Sequence, residues 1–576
     1  MKKSVDLSYP RPLCRRDSFI NLNGEWDFIF AEGGAGEREP YQKVFPKDCL
    51  KIKVPYAYQA KLSGINDQRR CDTVWYHKDV HFERKDNQRV IFHIDAADYL
   101  TYVYVNSKLV GEHKGGYTSF SFDITDYLEN NSASIAIRCD DTYNVHQPRG
   151  KQKWKDKNFG CWYQEINGIW KNVWAEVVED TFIEKVRLTP KKGGVAQVEI
   201  ATNKFSKGLK ANIEFYLDNK LVGKKAANLE QNVTTADILL DEIAYWSLEK
   251  PSLYDAKISL SNGDQINTIF GYRFISTKGG KIYLNDQEIF MRLTLEQGYY
   301  PDGIYTFKDE KEILDEIKLI KDAGFNGLRM HQKVEDDRFY YLCDLEGLIV
   351  WSEMPSCYEF DEETVENVTR EWQEVIAQHY NHPSILVWTP CNESWGVPGI
   401  VHNKEQHEFL DNLYDLTKKY DSTRLIVSND GWEHCKTDLI TLHNYIQEPD
   451  RYKREFIDIL EDIVKNNKPL YNDQSYIPFA DGYSYQGQPI LIDEFCGIGF
   501  NVDKVDDGWG YGNQVKSKEE FYERYGELVR LTSKCSLVAG WCMTQISDVY
   551  QEVNGLVTLD RRQKFDLKVI NKLNNQ

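Results

Sequence analysis

Residues 385–394 read ILVWTPCNES, a short apolar run that ends in a polar turn carrying the carboxylate of Glu393. Residues 489–495 repeat the arrangement as PILIDEF, with Glu494 at the end of the run. A short apolar run bounded by turn residues is typical of a strand buried on both faces. If two such strands end at the same edge of a parallel barrel, we expect their glutamates to meet in one pocket.

Further apolar runs of this kind fill the C-terminal half of the chain, with helical patterns between them. Ile313, Ile317 and Ile320 share one face of a helix predicted from 309 to 323, and Gly324 ends it. Together with the two runs above, eight strands are predicted; the remaining six cover residues 288–293, 325–329, 348–351, 424–427, 439–442 and 537–541. Eight strands that alternate with helices predict a (β/α)8 (TIM) barrel over residues 276–576.

The N-terminal half shows strand patterns instead. Alternating residues between turn signals predict a jelly-roll β-sandwich of the sugar-binding type over residues 1–180. The shorter segment 181–275 predicts an immunoglobulin-like β-sandwich. The predicted fold class is therefore multidomain, with two β domains before an α/β barrel.

Composition excludes several classes of function. A net charge of −19 disfavours nucleic acid and anionic membrane surfaces as partners. No apolar run approaches the ~20 residues that span a bilayer, and no apolar core follows the basic start MKKSVDLSYPRPL, so we expect a cytoplasmic protein without a secretory leader. The twelve cysteines are scattered, which predicts free thiols and no zinc site. We expect no cofactor and no metal, and a homo-oligomer is compatible with the sequence.

In a barrel of this type the functional groups gather at the carboxyl ends of the strands. Those ends carry a dense polar ring, made of Glu296, Arg329, His331, Lys333, Glu353, Asn392, Glu393, Asp430, His443, Tyr445, Glu494 and Trp541. Two carboxylates in one pocket are what glycoside hydrolysis needs, one as proton donor and one as nucleophile or base. Arg329 would keep the nucleophile ionised, Asn392 would donate to a sugar hydroxyl, and Trp541 would stack on the sugar ring.

Several segments, in order along nearly the whole chain, resemble glycoside hydrolase family 2, the group of β-galactosidases, β-glucuronidases and β-mannosidases. They are LNGEWDF at 22–28, GIWKNVW at 168–174, GYR at 271–273, GFNGLR at 324–329, Asn392-Glu393 and DEF at 493–495. The resemblance implies a retaining double displacement with Glu393 as acid/base and Glu494 as nucleophile. It also places Tyr445 near the nucleophile and Trp541 in the pocket, and it gives His331 the place of a family histidine with a one-residue gap.

The chain departs from the family pattern at two places. The loop QGYYPDG at 297–303 resembles a less-studied branch and makes Asp302 a candidate pocket residue. The Asn-x-Lys element with which β-glucuronidases hold a carboxylate is not visible in QEVNGL at 551–556. We therefore expect a small carbohydrate or glycoconjugate substrate cut from its non-reducing end, with β-galactosides first.

A β-glucuronide or β-galacturonide is the second expectation, with Lys333 or Arg329 holding the carboxylate by another geometry. A carbohydrate-binding protein with an inactive barrel is a rival of a different class, which the presence of both glutamates disfavours. A metalloenzyme is a further alternative function. The sequence does not support it, because we see no His-x-His motif and no clustered spacing of metal ligands.

Overall fold

The computed structural model describes residues 7–31, 40–471 and 476–576. In this part of the chain two antiparallel β-sandwiches precede an eight-stranded parallel barrel, which confirms the predicted fold class. The domain boundaries at residues 180 and 275 stay predictions. Residues 1–6, on which part of the predicted cytoplasmic location rests, lie outside the described ranges.

The first sandwich packs a six-stranded sheet, in the order β3-β2-β4-β10-β7-β8, against a four-stranded sheet, in the order β1-β12-β5-β9. Alternate residues of each strand fill the space between the sheets; in β5, for example, Val90, Phe92 and Ile94 are fully buried. Its strands are β1 (Phe19–Asn21), β2 (Gly24–Phe30), β3 (Leu50–Val54), β4 (Thr73–His81), β5 (Gln88–Ile94), β6 (Ala97–Asp98), β7 (Leu100–Val105), β8 (Lys108–Lys114), β9 (Phe120–Asp123), β10 (Ser132–Asp140), β11 (Gly168–Ile169) and β12 (Val173–Glu179).

The second sandwich is smaller and has its own core. A three-stranded sheet, β13-β14-β17, faces a four-stranded sheet, β16-β15-β18-β19. Its strands are β13 (Ile183–Lys191), β14 (Val195–Thr202), β15 (Lys210–Leu217), β16 (Lys220–Asn228), β17 (Val233–Leu239), β18 (Tyr254–Leu260) and β19 (Gln265–Phe270). A small antiparallel sheet then leads into the barrel; it contains β20 (Ile275–Lys278), β21 (Lys281–Leu284) and β22 (Gln287–Ile289).

All eight predicted barrel strands form, and they pair in parallel in the order β27-β26-β25-β24-β23-β30-β29-β28. They are β23 (Met291–Glu296), β24 (Gly327–Met330), β25 (Ile349–Glu353), β26 (Ile385–Thr389), β27 (Leu425–Ile426), β28 (Ile440–Asn444), β29 (Ile490–Cys496) and β30 (Val538–Thr544). The first strand begins three residues later than predicted, because β22 turns back to pair with β21 before the barrel starts. Every residue of β26 and of β29 is buried, as their unbroken apolar runs predict.

Helices cover the outside of the barrel. The first begins after Asp309, whose side chain accepts a hydrogen bond from the backbone N–H of Glu312, so the predicted helix over 309–323 is confirmed within one residue. The described helices are α1 (Glu310–Asp322), α2 (Asp337–Glu346), α3 (Glu362–His379), α4 (Lys404–Tyr420), α5 (Pro449–Glu455), α6 (Leu460–Lys465), α7 (Lys518–Lys534) and α8 (Leu567–Asn574). None of the helices in the described residues is long and apolar enough to cross a membrane.

A buried ion-pair network joins the two sandwiches. Arg16 lies 3.0 Å from Glu176 Oε2 on β12 and 3.0 Å from Asp264 Oδ1, in the turn between β18 and β19. Burial alone would raise the pKa of Glu176, but Arg16, Arg11 and His93 together outweigh burial and hold that pKa well below its usual range. The network therefore stabilises the contact between the sandwiches only while Glu176 is ionised.

We expect Glu176→Gln to lower the free energy of unfolding by about 3 kcal/mol at pH 7, because it removes one partner of a buried pair. A carboxylate with a lowered native pKa contributes stability above its unfolded pKa of about 4.3, and that stability is lost as the pH falls through the native pKa. The unfolding free energy of the variant should therefore fall less steeply than that of the wild type below about pH 4.

Urea unfolding followed by tryptophan fluorescence at pH 7 and at lower pH measures both effects. Glu83→Gln is the matched control, since the Glu83 side chain is 98% exposed. Equal effects of the two substitutions would contradict a stabilising role for the network.

Candidate active site

A buried guanidinium, that of Arg329 on β24, lies beneath the mouth of the barrel. Its Nη2 is 2.9 Å from Asp430 Oδ2, 3.0 Å from Glu494 Oε1 and 2.8 Å from Asn392 Oδ1. Its Nε makes an ion pair with Glu353 at the end of β25. A guanidinium presents its donors in a rigid plane, so these contacts fix the carboxylates and the amide that surround it.

The two glutamates predicted from the sequence lie side by side above this guanidinium. A carboxylate oxygen of Glu393 and one of Glu494 lie within 4.8 Å of each other. Glu393 follows β26 in a left-handed backbone conformation. Its φ is 51°, a value that residues other than glycine rarely adopt. Trp395 donates from Nε1 to Glu393 Oε2 at 3.3 Å, so the strained turn presents a carboxylate that is held in place.

His443, at the end of β28, joins the two glutamates. Its Nδ1 is 2.8 Å from Glu393 Oε1 and 3.5 Å from Glu494 Oε2. Burial alone would lower the pKa of His443, but the charges of Glu494 and Glu393 outweigh burial and raise that pKa above its usual value. Both glutamates therefore stabilise a proton on His443.

Glu494 is held in its ionised form. Burial would raise its pKa, but the charges of His443 and Arg329 and a hydrogen bond from Tyr445 lower it below the usual range of a glutamate. That hydrogen bond runs from the Tyr445 hydroxyl to Glu494 Oε2 at 2.5 Å, and the ring of Tyr511 stacks on the ring of Tyr445. An ionised, oriented carboxylate of this kind is suited to act as a nucleophile.

A second pair of carboxyl groups lies behind the first. Burial raises the pKa of Asp493, whereas the charge of Arg329 lowers the pKa of Asp430 despite its burial. The pair therefore shares one proton. Ligand atoms of His443, Asp430 and Asp493 also lie within 4.8 Å of one another, but a metal ion there would sit beside the guanidinium of Arg329. The positive charge of that guanidinium disfavours a second cation at this place.

Two other predicted residues also reach this site. His331 is buried beside Glu353, with Nδ1 2.7 Å from Glu353 Oε2, and burial lowers its pKa. Asn392 accepts from Arg329 through its oxygen, while its buried Nδ2 has no hydrogen-bond partner among the described residues. That amide nitrogen is a donor that a sugar hydroxyl could use.

The structure places three predicted residues away from the glutamate pair. Trp541 is fully buried outside the site, where its Nε1 donates to Ser533 Oγ at 2.9 Å and its ring packs on Phe325 and Phe495. Alternate side chains of a barrel strand point to opposite sides, and this one points to the surrounding helices.

Asp302 and Lys333 are occupied by other partners. Asp302 is partly exposed and pairs with Lys61 of the first sandwich at 3.0 Å. Lys333 is fully buried, with Nζ 2.6 Å from Glu335 Oε2 and 2.6 Å from the carbonyl oxygen of Gly298. Neither side chain reaches the glutamate pair, and Lys333 has no free donor for a substrate carboxylate.

Three residues of the site were not predicted from the sequence. Trp395 lies two positions after Glu393, and this spacing within a single turn was the available signal. Tyr511 comes from a loop beyond β29, and Lys151 comes from the first sandwich. Tyr511 lies far along the loop after β29 and Lys151 lies in another domain, so a search of the strand ends could not find them.

A cavity of about 690 Å3 opens beside the pair, which is a usual size for a small-molecule site. Glu393, Tyr445 and Tyr511 lie at its base. Trp432, Tyr471 and Tyr476 add aromatic faces to its wall, which suits the apolar faces of sugar rings.

Three family models match the chain in succession. The model described as "Glycosyl hydrolases family 2, sugar binding domain" matches residues 19–173, "Glycosyl hydrolases family 2" matches 181–273, and "Glycosyl hydrolases family 2, TIM barrel domain" matches 276–497. Together they cover most of the chain, in the order that the resemblance of the sequence motifs predicts.

Curated relatives carry two different names. A "Putative beta-glucuronidase" of Formosa agariphila is 28% identical over 65% of this chain and 46% of its own length. A "Beta-galactosidase" of Thermoanaerobacter pseudethanolicus is 28% identical over 61% of this chain and 47% of its own length. The chain spans about half the length of these curated relatives.

Among solved structures, a β-glucuronidase of an uncultured Clostridium species superposes with a TM-score of 0.80. The alignment covers 99% of this chain and 100% of the other, at 17% sequence identity. This likeness shows the shared fold of two sandwiches and a barrel.

We expect Glu494→Gln to lower the pKa of His443, because it removes a negative charge close to a buried imidazole. NMR titration of protein labelled with 13C at histidine Cε1 measures this pKa, and the missing signal in His443→Gln assigns it.

Glu433→Gln serves as the control, since Glu433 lies near the site but its carboxylate hydrogen-bonds to Ser394 Oγ rather than to His443. An unchanged His443 pKa in Glu494→Gln would show that the imidazole is not coupled to this carboxylate.

Proposed function

The chain belongs to glycosyl hydrolase family 2, and from that membership and the geometry of its barrel mouth we propose that it is a retaining exo-β-glycosidase. The observation that carries the proposal is the closeness of the carboxylates of Glu393 and Glu494, since one oxygen of Glu393 lies within 4.8 Å of one oxygen of Glu494. Retaining enzymes hold their two carboxyl groups ~5–5.5 Å apart, whereas inverting enzymes leave ~6.5–9.5 Å for a water molecule.

In the first step Glu494 attacks the anomeric carbon while Glu393 gives a proton to the departing glycosidic oxygen. The sugar is then bound to Glu494 as an ester, and the aglycone leaves as a neutral alcohol. In the second step Glu393 takes a proton from water, the hydroxide attacks the anomeric carbon, and Glu494 departs as a carboxylate. The sugar keeps its β configuration after two inversions.

Neighbouring groups support these two roles. Arg329 and Tyr445 stabilise the ionised Glu494 in the free enzyme. His443 Nδ1 lies 2.8 Å from Glu393 Oε1 and holds that carboxyl group in place. The free Nδ2 of Asn392 can donate to a hydroxyl of the sugar, a contact that strengthens as charge develops at the ring.

The first sandwich closes the mouth into a pocket, which supports cleavage from the end of a glycan. Trp162 of that sandwich packs against Trp395 of the barrel at a ring distance of 5.1 Å, edge to face. Tyr163 donates a hydrogen bond to Glu552, beyond β30. A polysaccharide could not run through a mouth that is walled on this side.

For the sugar itself, we propose a β-linked uronic acid, a β-glucuronide or β-galacturonide, in place of the β-galactoside first expected from the sequence. Relatives named β-glucuronidase and β-galactosidase are equally similar to the chain, at 28% identity. The buried Lys151 lies within electrostatic reach of the glutamate pair and adds the cation that a uronate needs. The cytoplasmic location and the oligomeric state remain predictions.

A panel of nitrophenyl β-glycosides tests the proposal: glucuronide, galacturonide, galactoside, glucoside and mannoside. We expect turnover of at least one uronide, and 1H NMR should show the β anomer of the sugar as the product formed first. Glu494→Gln should lower kcat by about 10⁴-fold, because the nucleophile is lost while the pocket is kept.

Glu433→Gln is the matched control and should retain most of the activity. Sugar binding without turnover by the wild-type protein would favour the rival function, a carbohydrate-binding protein. Turnover by Glu494→Gln near the wild-type rate would reject the assignment of the nucleophile.

A further inference from the structure

A short segment of the first sandwich lies across the ends of the second and third barrel strands. The backbone N–H groups of Arg149 and Gly150 both donate to the carbonyl oxygen of Ser356, at 3.0 and 3.1 Å. Gly150 has a φ of 59°, and a Cβ there would lie 2.2 Å from the carbonyl oxygen of Gln332. Only glycine allows so close an approach, and the approach brings the next residue, Lys151, to the mouth of the barrel.

The backbone of Lys151 is fixed by a hydrogen bond, but its side-chain ammonium has few hydrogen-bond partners. Its carbonyl oxygen accepts from the backbone N–H of Tyr163 at 2.8 Å, and the residue is 6% exposed. Among the described residues, Nζ has one hydrogen-bond partner, Cys161 Sγ at 3.5 Å. An ammonium has three donors and sulfur is a weak acceptor, so the protein leaves most of this group's bonding capacity unused. Burying such a charge is costly unless a partner compensates it.

The charges that face Lys151 are those of the candidate catalytic site. Burial would lower the pKa of Lys151, but the neighbouring Cys161, Glu393 and Glu494 groups outweigh burial and raise that pKa. The charge of Lys151 in turn helps to lower the pKa of His331 at the base of the site. The ammonium is thus a permanent positive charge within electrostatic reach of the pair.

Other buried cations near the mouth already have carboxylate partners. Arg329 binds Glu353, Asp430 and Glu494. In the same segment as Lys151, Lys153 pairs with Glu165 at 3.0 Å. Lys333, which was expected to hold a uronate, pairs with Glu335. Among these four buried cations of the described residues, Lys151 is the one without a carboxylate within ion-pair distance.

We propose that Lys151 binds the carboxylate of the β-linked uronic acid in the pocket and thereby selects uronides over neutral sugars. This rests on the proposed glycosidase function and adds the residue that would set its specificity. The reason is electrostatic: a uronate must enter a mouth lined by the carboxylates of Glu393 and Glu494. With Lys151 it gains a charge-assisted hydrogen bond in a low-dielectric site, whereas a neutral hydroxymethyl group gains only an ordinary one.

The test compares kcat/KM for nitrophenyl β-glucuronide and β-galacturonide with kcat/KM for the matching glucoside and galactoside. Lys151→Met should lower kcat/KM for the preferred uronide by roughly 30- to 1,000-fold, the usual effect of removing one partner of a buried charge pair. The kcat/KM for the neutral sugars should change by less than about fivefold, because these sugars have no carboxylate whose contact could be lost. Lys151→Arg should retain a preference for uronides.

Lys157→Met is the matched control, because it makes the same substitution at an exposed lysine of the same loop. It should leave all the rates unchanged. An equal fall for uronides and neutral sugars in Lys151→Met would overturn the inference and give Lys151 a general structural or electrostatic role.

A second measurement needs no variant and so does not depend on the folding of Lys151→Met. D-Glucuronate should inhibit the wild-type enzyme at least about tenfold more strongly than D-glucuronamide, its neutral isostere. Equal inhibition would also overturn the inference. A wild type that cleaves only neutral glycosides would reject carboxylate recognition but keep the glycosidase function, whereas no cleavage of any glycoside in the panel would reject both.

Discussion

The guanidinium of Arg329 is the interaction on which the rest of the site depends. It is fully buried and contacts side chains from the ends of β25, β26, β27 and β29. Without a central cation, several carboxyl groups could not be ionised together in so small a buried volume, because each desolvated charge would raise the pKa of the others. The arginine therefore fixes the geometry of the ring and also decides which of its members carry charge.

The local environment of each remaining carboxyl group decides whether that group is ionised or protonated. Asp430 and Asp493 share a proton behind the site, whereas Glu494 stays ionised in front of it because His443 and Tyr445 both stabilise its negative charge. Chemically identical groups thus acquire different protonation states from their contacts, which is the condition that a nucleophile and a proton donor in one pocket require.

The barrel provides the reaction centre, and the first sandwich packs against the barrel beside the mouth. Its segment around Gly150 contacts the barrel through backbone hydrogen bonds, and the contact brings Lys151 and Trp162 to the mouth. A site assembled from two domains lets the reaction centre remain constant while the other domain supplies the groups that recognise the substrate.

The sequence by itself determined the two sandwiches, the eight barrel strands and the two glutamates. It could do so because strand periodicity and buried apolar runs are local properties, and because a parallel barrel brings its strand ends to one edge. It also led to Arg329, Asn392, His443 and Tyr445, which all follow that rule.

Only the tertiary structure decided which side of its strand Trp541 occupies, that Lys333 is already paired, and that Lys151 reaches the site from another domain. The physical reason is that a strand buried on both faces shows no alternation to reveal its inner side. In the same way, the partners of a buried charge are set by contacts between residues far apart in the chain.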